Sequence, residues 1–436
     1  MSIKKSTKKS AIKKRTVKEL KKKSTTTIVK KSNRVTVKKS ARPPAKKTKT
    51  ATGQIDLSLY RNSNVLIVAG EHSGDLLGGD IVNEMKKVGY SSFFGTGGDA
   101  MQVGGVALVE HVDSMTVIGF VEVIRAYRRL KALANRLANL VAERSTKLVI
   151  LIDYPGFNLR LAAMLKAQNP EIQIIYLVSP QIWAWKYNRI ESIRKNVDLM
   201  LTLFEFEKQI YENENVKSEW IGHPMVNRIP EQLKKQAPIS KHRGYTLAIL
   251  PGSRRSECKM LLPDFLEAAR ILKQSFSNLN ILIPFVDQRL LEFAGQYLEG
   301  YQDLNLEISV SNSLSVLQAA DIVFIASGTA TLEAAYFRKP MIICYRSGWL
   351  NVLIASMVMR TRFIGLPNLL AGEQVALELL QTEVQPQAIA TEAIRLLKHK
   401  RERNQIINRL NQITFAPKAR KPSVLAVQFI EKHLHR

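Results

Sequence analysis

Several stretches of this 436-residue chain combine residue types and spacings that can do chemistry. Ser327-Gly328-Thr329 follows a short apolar run, Ile322–Ala326, and leads into Ala-rich, helix-forming sequence. A strand–turn–helix of this kind leaves backbone N–H groups unpaired at the helix start, where an anion can sit. Gly328 admits close backbone approach, and Ser327 and Thr329 add hydroxyl donors. Glu333, four residues past Thr329, shares its helix face and can accept hydrogen bonds from a ribose diol. Dinucleotide folds divide the work in the same way, with phosphate on a helix start and ribose on an acid. An ordinary capped helix with a solvated glutamate would carry the same residues. A second grip follows the strand Tyr245–Leu250, where Gly252 and Ser253 precede Arg254, a fork donor for phosphate oxygens. Its bland counterpart is a surface loop with solvated arginines. Asp153 ends the apolar run Leu148–Ile152, at the strand terminus where parallel α/β sheets gather ligands. It is a candidate general base, or a turn aspartate ahead of Pro155.

These residues need strands to hold them, and the chain supplies two series. In the first, Val65–Ala69 is a strand, followed by Gly70-Glu71-His72-Ser73-Gly74-Asp75 and a helix to about Lys87. SSFFGTGG (91–98) repeats the pattern, and Leu148–Ile152, Ile174–Val178 and Leu199–Leu203 continue it. Trp183 and Trp185, beside Lys186 and Arg189, could line a sugar or acyl surface or simply pack. Residues 226–244 are polar and read as a linker. The second series is Tyr245–Leu250, Asn280–Pro284, Leu306–Val310, Ile322–Ala326 and Pro340–Tyr345, followed by two helical stretches in 386–436. The expected fold is α/β, with two Rossmann-like β/α domains facing across a cleft. The boundaries are a Lys-rich tail over 1–60, a first domain over 61–229, a second over 244–400 and a helical segment over 401–436.

Composition narrows the function classes. Residues 1–50 hold 20 Lys/Arg and one acid, so the tail carries +19 of the formal +28 charge and the body is only mildly basic. The tail has too few apolar residues to offset its ordering entropy and reads as disordered. It would attract a polyanion, either an anionic bilayer or nucleic acid, although no aromatic residues interleave for base stacking. The two cysteines, Cys258 and Cys344, fit a reducing compartment and make no metal site by spacing. There is no secretory h-region and no run of about 20 apolar residues to span a bilayer. Residues 117–134 are amphipathic. Val117, Phe120, Val121, Ile124 and Tyr127 line one face, Ile118 and Val123 widen it, and Arg125, Arg128, Arg129 and Lys131 flank it. This suits either a core helix or a helix lying on a membrane. The absence of a Walker A loop, of a well-placed GxGxxG and of a GxSxG elbow weakens kinase, nicotinamide and hydrolase readings.

Taken together, AGEHSGD (69–75), GTGGDAM (95–101), GFVEV (119–123), IDYPGFN (152–158), YLVSPQIWAWKYNRI (176–190), FEFEK (204–208), IGHPM (221–225), LPGSRRSE (250–257), SGTATLE (327–333), LPNLLAGE (366–373) and ELLQ (378–381) resemble the lipid-A-disaccharide synthase family, glycosyltransferases of GT-B architecture. The motifs keep the family's order across about 62–415. The resemblance implies inverting transfer of diacylglucosamine from UDP-diacylglucosamine to diacylglucosamine 1-phosphate at the cytoplasmic face of the inner membrane. No cofactor or metal is implied. Asp153 matches the family's candidate base, ahead of His72. Gly252, Ser253, Arg254, Ser327, Gly328, Thr329 and Glu333 would hold the nucleotide. Glu71, Ser73, Gly74, Asp75 and Asn158 would stand on the acceptor side. Val117, Ile118, Phe120, Val121 and Ile124 would contact an anionic membrane, and a homodimer is a possible assembly. Gly156 stands where some members carry a second acid, Asn227 where an aspartate is common, and Glu373 where a basic residue is usual. The competing readings are a UDP-N-acetylglucosamine epimerase-like enzyme on the same fold and a polyanion-binding protein driven by its tail.

Overall fold

The structure, a computed structural model, describes residues 57–115, 120–235, 244–347, 361–417 and 420–435. The first lobe contains β1 (Val65–Ala69), β2 (Phe93–Gly97), β3 (Val106–His111), β4 (Leu148–Ile152), β5 (Gln173–Leu177), β6 (Leu199–Thr202) and β7 (Ser218–Trp220). The second contains β8 (Thr246–Leu250), β9 (Asn280–Phe285), β10 (Leu306–Val310), β11 (Ile322–Ala326), β12 (Met341–Tyr345) and β13 (Leu377–Leu380). Every strand pair is parallel, in the orders β3-β2-β1-β4-β5-β6-β7 and β10-β9-β8-β11-β12-β13. Parallel strands require crossovers, and here helices cover both faces of each sheet. The central strands β1, β4, β8 and β11 are therefore buried at every residue. That explains why they read in the sequence as unbroken apolar runs.

Both sheets reverse their winding direction between their first and fourth strands. The crevices at the carboxyl ends of β1/β4 and β8/β11 are thus topological switch points, where ligands bind in open α/β sheets. Register places the candidate loops side by side. Ala69 pairs with Ile152, so the Gly70–Asp75 loop leaves the sheet next to Asp153. Leu250 pairs with Ile325, so the Pro251–Arg254 loop leaves next to Ser327. Gly95 lets β2 pass β1 at this level. With φ +151°, a Cβ there would stand 1.8 Å from the Ile67 carbonyl oxygen.

Two boundaries differ from the sequence reading. Leu57 and Tyr60, placed in the tail by the boundary at 60, are buried in the first lobe's core. The helix Ser58–Arg61 is further tied by Arg61, whose Nη2 lies 2.6 Å from Glu431 Oε1. The C-terminal segment also serves both lobes. Leu410, from the helix Lys400–Asn411, packs in the second core. The helix Pro422–Leu434 buries Leu425, Ala426, Ile430 and Leu434 in the first. Where the lobes join, Phe204, Met225, Ile229 and Leu332 form a small apolar cluster. Residues 1–56 and the apolar pair Val117 and Ile118 lie outside the described residues, as do the side chains of Phe120, Val121 and Ile124 on the helix Phe120–Glu143.

Candidate active site

At the β1/β4 switch point, the chain beyond Ile152 turns through two consecutive left-handed residues, Asp153 and Tyr154, both at φ 48°. Non-glycine residues hold such angles only where surrounding bonds over-determine them. Here the Asp153 N–H donates to Leu177 O at 2.8 Å. The Asp153 carbonyl accepts from Tyr176 Oη at 2.6 Å and from Asn158 Nδ2 at 2.8 Å. Asn158, fully buried, also donates to Ile152 O at 3.2 Å. Tyr154 Oη donates to Met115 O at 3.1 Å, and its ring lies so close to Gly70 that a Cβ there would come within 2.4 Å. The peptide is thus clamped while the carboxylate keeps only the Tyr154 N–H. Burial, with the Glu71 carboxylate adding repulsion, pushes the Asp153 carboxyl up to about 6. A half-buried carboxylate titrating near neutrality at a strand terminus has the protonation behaviour of a general base.

The other first-lobe candidates divide. Glu71 and Ser73 are exposed at the start of the helix His72–Lys87. Gly74 is a packing position, where a Cβ would meet Ala69 Cβ at 3.3 Å and Ile152 Cγ2 at 3.4 Å. Asp75 is buried, and its oxygens accept from the N–H groups of Gly98, Ala100 and Met101 at 2.7–3.1 Å. It caps the neighbouring helix Asp99–Val103, so its part in the site is to position the loop. His72 is exposed and pairs with Asp113 at 3.0 Å, while His111 lies 3.2 Å from the same carboxylate. Asn158 likewise acts on the Asp153 peptide.

At the second switch point, a cavity of about 430 Å³ brings together all seven predicted nucleotide residues: Gly252, Ser253, Arg254, Ser327, Gly328, Thr329 and Glu333. Val286, more than half exposed, and Ser311 complete its far wall. A Cβ on Gly328 would meet nothing within 4 Å, so this wall is open to a ligand. Ser327 is held by its N–H to Cys344 O at 3.0 Å. Glu333 is half-buried, and burial raises its carboxyl while the Arg228 charge pulls it down. Sequence reasoning missed Glu257. Its Oε2 accepts from the N–H groups of Ser253 and Arg254 at 2.9 and 3.3 Å, and its Oε1 lies 3.0 Å from Arg254 Nη1. Gly252, at φ +108°, leaves the room this needs, since a Cβ would fall 2.4 Å from Glu257 Oε2. The signal was present as the N3 acid of a helix start, Glu257 three residues past the N-cap Arg254. The two tryptophans separate as well. Trp183 Nε1 donates to buried Glu207 at 3.1 Å, whereas Trp185 is exposed beneath Lys186 and Arg189.

Among the described residues, no three His, Cys, Asp or Glu side chains form a metal-holding group. Two doubly wound lobes, one with a clamped carboxylate and the other with an open pocket at a helix start, give the chain the GT-B architecture. The fold is shared with a *Neisseria meningitidis* UDP-GlcNAc 2-epimerase solved with UDP-GlcNAc, at 12% identity and TM-score 0.54, over 85% of this chain and 100% of that one. It is equally shared with a glycotransferase of kitacinnamycin, at 13% identity and TM-score 0.55, over 85% and 98%. Fold therefore does not separate epimerase from transferase, but sequence does. The chain belongs to the Lipid-A-disaccharide synthetase (LpxB) family, whose profile matches residues 65–431. The *Coxiella burnetii* lipid-A-disaccharide synthase is 35% identical over 81% of this chain and 93% of its own length. The *Trichlorobacter lovleyi* enzyme is 36% identical over 78% and 90%.

Proposed function

We propose that the chain transfers diacylglucosamine, with inversion, from its UDP carrier to the hydroxyl of diacylglucosamine 1-phosphate. The observation that carries this reading is the setting of Asp153: a rigid peptide under a carboxylate that titrates near 6. In the proposed step, the Asp153 carboxylate takes the acceptor hydroxyl proton as that oxygen bonds to the anomeric carbon. The bond from that carbon to the diphosphate oxygen breaks, and the negative charge leaves on UDP. The backbone N–H groups of Gly328 and Thr329 and the Arg254 guanidinium meet that charge, and Glu333 accepts from the ribose hydroxyls. Arg254 must swing away from Glu257 to do so. Its side chain is 78% exposed, so the exchange costs little. Glu71 and Ser73 face the acceptor, while Gly74, Asp75 and Asn158 hold their loops. Among the described residues, no helix is long and apolar enough to cross a membrane. An acylated substrate then requires peripheral access, which we assign to the face of Val117, Ile118, Phe120, Val121 and Ile124 at the cytoplasmic surface of the inner membrane.

The test is UDP release from UDP-diacylglucosamine by the full chain, with and without the monosaccharide phosphate. Acceptor-dependent release with a disaccharide phosphate product supports the reading. Release that ignores the acceptor, or no release despite UDP binding, overturns it.

A further inference from the structure

We propose that Arg228 is a diphosphate-binding residue of the donor pocket, delivered from the segment that joins the two lobes. The placement rests on packing. Met225 and Ile229, on either side of Arg228 in sequence, are buried in the same apolar cluster as Leu332, the residue before Glu333. The turn Met225–Arg228 is thereby pinned against the helix Ala330–Tyr336, whose start and whose Glu333 line the cavity. Arg228 itself is exposed, outside the wall of the cavity but carried on the turn packed against the helix that lines it.

Its charge is uncommitted. Among the described residues, Arg228 makes no ion pair and Glu333 makes none either, while the Arg228 charge pulls the Glu333 carboxyl down. The Arg228 charge also pulls down the Asp80 carboxyl, on the helix His72–Lys87, and the His223 imidazole. Arg254 is the contrasting case, with its guanidinium and its N–H already taken by Glu257. The Ser253 N–H is engaged in the same way, so much of the polar surface offered by that loop is spoken for. A leaving nucleoside diphosphate gathers more charge than one committed arginine can neutralise. A free guanidinium presents a planar fork suited to phosphate oxygens. Because Arg228 belongs to the joining segment, phosphate binding would also link donor occupancy to the disposition of the lobes.

This inference rests on the pocket being the UDP site, and the experiment separates the two ideas. UDP and uridine binding are measured by calorimetry on the wild type, Arg228→Ala, Arg228→Lys and Arg254→Ala. The expected result is a loss in UDP affinity of about tenfold or more for Arg228→Ala, with uridine binding unchanged. Arg228→Lys should recover part of the loss, as a point charge without the fork. The salt dependence of UDP binding should also flatten in the alanine variant. Equal weakening of UDP and uridine would overturn the inference, because Arg228 would then act through Glu333 on the ribose. Unchanged UDP affinity in Arg228→Ala, alongside a loss in Arg254→Ala, would overturn it while leaving the pocket assignment intact. Unchanged UDP affinity in both variants would overturn the pocket assignment and the inference together.

Discussion

The two switch points of this molecule are built on the same winding, yet they are finished in opposite ways. Around Asp153 the backbone is left-handed, and each bond that could relax it is satisfied, from Leu177, Tyr176 and Asn158. Around Ser327–Thr329 the loop is small-residued and open, and its nearest arginine sits on an exposed, exchangeable pair. On the proposed reading, one site fixes a group that must meet a reacting atom, and the other leaves room for a ligand that must enter and leave. Proton transfer fails if the base drifts by a fraction of an ångström, whereas a nucleotide is held by many contacts, each tolerant of small movement. The duplicated architecture thus separates rigidity from capacity, one to each lobe.

The sharpest way to break that separation is at Asp153. Asp153→Asn keeps the shape and removes the base, so turnover should fall by at least ~100-fold with UDP affinity unchanged. Steady-state kinetics with calorimetric UDP binding check both halves. Loss of UDP affinity would show that the two sites are not independent, and near-wild-type turnover would remove Asp153 from the mechanism.

A second test concerns how the rigid lobe tolerates buried charge. Glu207 is fully enclosed, and burial pushes its carboxyl up to about 7 although the N–H groups of Trp183 and Phe204 pull it down. A folded-state value above the ordinary 4.5 means that the native protein holds the proton more tightly. Its stabilising contribution is full at low pH and lost as pH rises toward 7. Glu207→Gln should lack that loss. Between pH 4.5 and 8, urea unfolding should shift the stability difference toward the variant, by up to about 3 kcal/mol. A difference that stays flat with pH would show that Glu207 is already ionised in the folded protein.

What could be read from the sequence follows the same physical line. The ten strands recognisable there are mostly those enclosed on both faces, whose runs, such as VLIVA and LVILI, are continuous. The three it misses, β3, β7 and β13, all lie at sheet edges. SEW and LELL are short and broken by a glutamate, and VALVEH, although it opens on four apolar residues, is buried only at Val106, so none carries the signature of an enclosed strand. Loops at switch points were legible because strand, glycine and helix start are contiguous in the chain. Interactions closed by tertiary structure were not. Asp75 looks like a cleft residue until the Gly98–Met101 N–H groups arrive from 23 or more residues away. The helix Pro422–Leu434 shows its amphipathic face in sequence but not that it returns to the first lobe's core. Arg228 belongs to no motif and acquires a role only through its buried neighbours.

On the open side, Arg254→Ala should weaken UDP binding by about tenfold, the scale of one charge-assisted hydrogen bond, and leave the rate at saturating donor far less affected than Asp153→Asn does. The effect should shrink at high salt because the group is exposed. A rate loss matching that of Asp153→Asn would mean that this lobe too carries a rigid, transition-state-specific contact, and the contrast between the lobes would fail.

The smallest predicted effect is the most specific. Asp153 must be ionised to accept a proton, so with its carboxyl at about 6 the rate should climb as pH rises through that value. Burial is the larger cause of that position and Glu71 the second, through like-charge repulsion. Glu71→Gln removes the repulsion and keeps the burial. The acid limb of kcat/KM should therefore move to lower pH by a fraction of a unit, without reaching the ordinary carboxylate range, while UDP affinity stays constant. An unmoved limb would mean that solvent screens Glu71 from Asp153 and that enclosure alone sets the base. A limb displaced upward would show that Glu71 holds a proton or cation that helps Asp153 ionise. In the first case the rigid site would be tuned by its walls rather than by its neighbouring charge, and the Glu71 loop would be left with acceptor contact as its task.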